Sequence, residues 1–183
     1  MREKYMCNQS EFVDNLKKRM HESYESKFYL ESIACSYAII ENRTKRICEH
    51  LGKSMSRASL YEKTQFIYES IKNMELERDK KKRKIVGFLK YRILETNLLG
   101  IDFTKEYGEL LKKQGKDLQL VRFRKDRNDF THEMYIYNSE NPKLTDFNDY
   151  EELARMGIDV ANHLCKICSS MKCKIKALKE ETK

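Results

Sequence analysis

"YLESIACSYAIIENRTKRICEHLG", Tyr29 to Gly52, decides the fold. Counting from Phe28, its apolar residues Leu30, Ile33, Ala34, Tyr37, Ala38, Ile40 and Ile47 recur with the period of a helix rather than the strict alternation of a strand. Leu51-Gly52 supplies a C-cap, because glycine enters the left-handed conformation that ends many helices without a Cβ penalty. The stretch predicts a long core helix.

Its neighbours read the same way. Upstream, Phe12, Val13 and Leu16 begin a short amphipathic segment. Downstream, Ser59-Leu-Tyr-Glu62 fits a capping box, in which Ser accepts from a backbone N–H and Glu reaches back, and predicts a helix through Phe66, Ile67 and Ile71. Ile85 to Gly100 is apolar-rich and helical, as one helix or a pair. Thr104 to Gln114 makes a short helix stopped by Gly115, and Asn138 to Asp146 is a loop around the single proline. Leu153, Gly157, Val160, Leu164, Ile167 and Met171, spaced 4, 3, 4, 3, 4, place a last long helix over about Phe147 to Lys179.

Composition agrees. Among 183 residues 36% are charged, with one Pro, six Gly and no Trp, too little turn chemistry for a sandwich or barrel. The expected fold is a single all-α domain over residues 1–183, a bundle of about five to seven helices. No Gly-rich phosphate loop, Gly-x-Ser-x-Gly elbow, repeat or paired-carboxylate signature is present, so kinase and hydrolase readings lack support. The N-terminus lacks the apolar core of a signal peptide and no stretch approaches a membrane span, which predicts a cytoplasmic protein without membrane contact.

Six cysteines are then expected as free thiols. His163, Cys165, Cys168 and Cys173 invite a zinc reading, but they flank the apolar seam of the last helix without the turn a knuckle needs; no metal and no cofactor is expected.

The net charge of +8 is concentrated in "RDKKKRK", Arg78 to Lys84. Arg78, Lys80, Lys81, Lys82, Arg83 and Lys84 are candidate contacts to an RNA backbone, against the plainer reading of a solvated helix face or loop.

The chemistry concentrates in "KDRNDFTHEMY", Lys125 to Tyr135. RNA is cut without metal when its own 2′-hydroxyl attacks the adjacent phosphate, which needs a proton carrier near neutral pH and a cation for the phosphoryl charge. His132 suits the first role and the planar fork of Arg127 the second, while Asn128 can orient either partner. Asp126, with Asp129 three residues on, reads as an N-cap that would set Arg127 and His132 in the first two turns of a helix. An Arg five to seven places before a His arises roughly 0.8 times by chance in such a chain, whereas Asn directly after the Arg at this spacing lowers the expectation to about 0.014. A second pair, Arg43 and His50, spans two turns of the long early helix and reads as its polar surface.

Arg127-Asn128-x3-His132 in a small all-α protein resembles the HEPN superfamily (higher eukaryotes and prokaryotes nucleotide-binding), many members of which are metal-independent endoribonucleases. The resemblance implies a HEPN-like bundle, a homodimer whose two motifs build a composite site, and a toxin or anti-phage effector with RNA as substrate and an antitoxin or defence protein as partner. It also directs attention to Glu31 and Glu41 on the early helix as residues that could orient the histidine. Toxin relatives carry Arg-x4-His-x-Tyr; here position 134 is Met, with Tyr135 and Tyr137 nearby. Two other readings compete: a catalytically silent HEPN-like module binding nucleotide, RNA or protein, and a helical DNA-binding or structural protein supported only by its charge.

Overall fold

The computed structural model describes residues 9–96, 120, 123, 124, 126–128 and 150–180. Among these the elements are all helical: α1 (Gln9–Glu25), α2 (Tyr29–His50), α3 (Leu60–Lys72), a 3₁₀ turn (Met74–Leu76), α4 (Lys80–Thr96) and α5 (Tyr150–Glu180). The chain is an all-α bundle, as its sequence predicts. The predicted helix over 104–114 and the loop over 138–146 lie outside the described residues.

The bundle is organised around α2, which packs most extensively against α5, then α1, then α3. Ile33, Ile40 and Ile47 are buried as their spacing predicts. The buried arc is wider than the apolar pattern suggests, because helices cover α2 on several sides: Ser32, Cys35, Ser36, Ile39, Thr44 and Cys48 are also inside. Ala34 is exposed, Leu30, Tyr37 and Ala38 are half-buried, and Tyr29 rather than Phe28 turns inward. Buried hydroxyls need acceptors. Ser36 donates to the Ile33 carbonyl at 2.9 Å, Thr44 to Ile40 at 2.8 Å, and Ser32 crosses to the Met20 carbonyl of α1 at 2.9 Å.

The seam predicted for α5 is buried throughout, and Ala154, Ile158, Ala161 and Cys168 widen it. On α1, Val13 and Met20 are buried two turns apart while Phe12 stays 46% exposed. The segment is also longer than its three starting apolar residues indicated, running 17 residues.

The C-terminal ends of α2 and α1 both close through αL caps. Gly52, at φ 88°, donates to Glu49, and Lys53 to Cys48 across it, the two bonds of a Schellman cap. The same pattern ends α1, but there the left-handed residue is Lys27, at φ 62°. The capping box of α3 forms as predicted: Ser59 Oγ accepts from the Glu62 N–H and the Glu62 carboxylate accepts from the Ser59 N–H. No described helix is long and apolar enough to cross a membrane.

Candidate functional site

The motif segment is held to the bundle by Leu120 and Phe123, both buried and three residues apart on one helical face. Leu120, Phe123, Arg124, Asp126, Arg127 and Asn128 are all helical. Asp126 therefore does not act as an N-cap, contrary to the sequence expectation, because the helical conformation set by the buried pair is already established upstream of it.

This placement aims two arginines at two tyrosines. The Arg127 guanidinium carbon stands 4.1 Å from the centroid of the Tyr37 ring on α2, and that of Arg124 stands 5.1 Å from Tyr61 on α3. Such cation–π contacts contribute about 0.5–2 kcal/mol, depending on desolvation. Arg127 Nη1 also donates to Asn128 Oδ1 at 3.1 Å, so the two motif residues are joined.

Behind Tyr37 lies a half-buried polar relay. The Tyr37 hydroxyl donates to Glu41 Oε1 at 3.0 Å, and Lys63, only 4% exposed, pairs with the other carboxylate oxygen. Burial first, then Glu41, pushes the Tyr37 phenol above its usual range, with Arg127 and Arg124 pulling the other way. The phenol therefore stays protonated and remains a donor.

Of the two acidic residues considered on this helix, only Glu41 belongs to that cluster. Glu31 is three turns away and is bound to Arg19 at 2.6 Å, which with Ser23 holds its carboxyl below the ordinary value. His132 lies outside the described residues.

The basic run occupies the first turn of α4 and the residues before it. Asp79 accepts from the N–H groups of Lys81 and Lys82 and so caps this helix. A helix N-terminus repels cations, and local acceptors offset the crowding: Lys82 pairs with Glu77 at 2.6 Å, and Arg83 donates to the Glu77 carbonyl. Arg78, Lys80, Lys81 and Lys84 project into solvent.

A second basic feature was not apparent from the sequence. A cleft of about 820 Å³ opens between α1, α2, α4 and α5, lined by Lys17, Arg43, Arg46, Arg92, Lys166 and Lys172, with His50 beside them. Arg43 and His50, read above as plain helix surface, thus share a concave wall. Burial first, then the charges of Arg46 and Lys172, lowers the His50 pKa from its ordinary value, with Glu49 opposing. A signal was available: Arg43, Arg46 and His50 stand at i, i+3 and i+7, one face of α2.

Cys35, Cys48 and Cys168 are buried and serve packing, whereas Cys173 is exposed. The five described cysteines are free. The Cys168 thiol donates to the Arg43 carbonyl at 3.3 Å, and burial pushes its pKa up to about 12. Among the described residues no group of three or more His, Cys, Asp or Glu is arranged to hold a metal ion.

Comparison of this chain with known protein families, with curated proteins and with solved structures returned no match.

Proposed function

We propose that this protein is a metal-independent endoribonuclease of the HEPN type that acts as a toxin or anti-phage effector. Arg127 holds the charge developing on the phosphoryl oxygens, His132 moves the proton, and Asn128 orients the guanidinium it already binds. The observation that carries this reading is the fixing of Arg127. A flexible surface arginine would lose side-chain entropy on gripping a phosphate; one laid over Tyr37 and joined to Asn128 has lost much of it beforehand. In a homodimer, each subunit would contribute its motif to a shared groove, with RNA as substrate and an antitoxin or defence protein as the further partner.

The test uses purified protein and single-stranded RNA in EDTA. Cleavage should leave 2′,3′-cyclic phosphate and 5′-hydroxyl ends, and both Arg127→Ala and His132→Ala should abolish it. Mixing the two variants should restore part of the activity if the groove is shared. Cleavage that requires added divalent metal, or 5′-phosphate ends, would overturn the mechanism.

One observation favours a second reading, a silent HEPN-like module that binds phosphate-bearing ligands without cutting them: the basic cleft is lined by residues outside the Arg127 motif. Intact RNA in the same assay, with retained binding, would select it.

A further inference from the structure

Charge in a folded protein is often balanced locally, and several surface cations of this bundle follow that habit. Lys18 pairs with Glu22, Arg19 with Glu31, Lys45 and Arg46 with Glu49, and Lys82 with Glu77. The cleft between α1, α2, α4 and α5 departs from it. Among the described residues its lining carries six lysines and arginines, of which Arg46 is paired with Glu49, against one lining carboxylate, Asp14. Among the described residues, Lys17, Arg43, Lys166 and Lys172 make no ion pair with a carboxylate.

Arg43 is the sharpest case. Its Nε is buried and has no hydrogen-bond acceptor. A buried donor left without an acceptor is destabilising, and an anion in the cleft would supply the acceptor this one lacks. The residue is also held in place: its carbonyl accepts from Cys168 of α5, tying the wall of the cleft to the most extensive helix contact in the bundle.

Size and lining narrow the ligand. A volume of about 820 Å³ is that of a small-molecule site, several times larger than one phosphate needs. Ser10, Asn162, Ser169 and Ser170 add neutral hydrogen-bonding groups between the cations. Among the described residues no Phe, Tyr or Trp lines the cleft and the imidazole of His50 is its one ring, a narrow platform for nucleobase stacking. Guanidinium and ammonium groups surrounding a compact space suit several phosphoryl groups carried close together.

We propose that this cleft binds a compact, multiply phosphorylated anion, recognised through its phosphoryl oxygens by Arg43, Arg46, Lys166 and Lys172. The proposal does not depend on the ribonuclease reading.

Calorimetric titration of the full chain with inorganic tripolyphosphate tests it, with a short oligouridylate in a parallel arm to separate a free oligophosphate from a nucleic-acid backbone. Saturable binding of tripolyphosphate is expected, weakened about tenfold or more by Arg43→Gln and by Lys172→Gln. Lys172 is exposed, so its substitution leaves the fold intact even if Arg43→Gln does not. Lys80→Gln with Lys81→Gln, outside the lining of the cleft, should change tripolyphosphate binding little. The proposal is overturned if tripolyphosphate does not bind, if it binds equally to both cleft variants, if the Lys80 and Lys81 changes weaken it as much, or if only oligouridylate binds in an Arg43-dependent way.

Discussion

Gly157 is where the fold and the motif segment meet, and Gly157→Ala tests that junction. A Cβ at this position would stand 2.4 Å from Ser36 Oγ on α2 and 2.6 Å and 3.0 Å from Cε2 and Cζ of Phe123. Ser36 can rotate away only by giving up its bond to the Ile33 carbonyl, and the Phe123 ring is fully buried. Overpacking of a filled core costs about 1–3 kcal/mol, and a methyl that meets two elements at once belongs at the upper end. Alanine is favoured over glycine inside a helix by about 1 kcal/mol, which leaves a net loss of about 2 kcal/mol. For a chain of this size that lowers Tm by about 4–8 °C. Thermal and urea melts followed by circular dichroism measure it. The double variant Gly157→Ala with Phe123→Leu shortens the opposing ring and should lose less than the sum of its parts by at least about 0.5 kcal/mol. If the proposed RNA cleavage holds, Gly157→Ala should lower it as well, since the displaced ring carries the segment that holds Arg127. A variant as stable as wild type, or more stable by the helix-propensity difference, would refute the three-way contact.

Other outcomes follow from single observations. Glu41→Gln leaves the buried Lys63 ammonium without its counter-charge, and because Glu41 is partly exposed the loss should be about 2 kcal/mol; a urea midpoint within error of wild type would contradict this. Lys27→Gly removes a left-handed lysine from the cap of α1, worth about 1–2 kcal/mol, against about 0.7 kcal/mol of added unfolded-state freedom, so melts should show a gain of about 0.3–1.3 kcal/mol rather than a loss. Burial raises the pKa of Cys48 to about 11 and of Cys168 to about 12, so at pH 8 both stay protonated; iodoacetamide should label exposed Cys173 and spare these two until denaturant is added, as peptide mass spectrometry can locate.

What the sequence determined by itself is local. Helical period, the Ser59 to Glu62 capping box and the Gly52 cap each act within a few residues, so the helices and the seam of α5 could be read from spacing alone. Cys168 could be read as a packing group for the same reason, since it shares a helical face with apolar neighbours, whereas Cys173 is exposed. Burial was decided by tertiary structure. Ser32, Ser36 and Thr44 are polar by type, and only the approach of α1 and α5 to α2, with acceptors in reach, takes them out of water. The motif marked Arg127 and Asn128, but Lys63 meets Glu41 from 22 positions away and Tyr37 meets Arg127 from 90, and no periodicity carries that information. The cleft is the same case on a larger scale. Lys17, Arg43, Arg92 and Lys172 come from four helices, each an ordinary solvated charge on its own element, and they become a concentrated positive field only when packing closes four faces around one space.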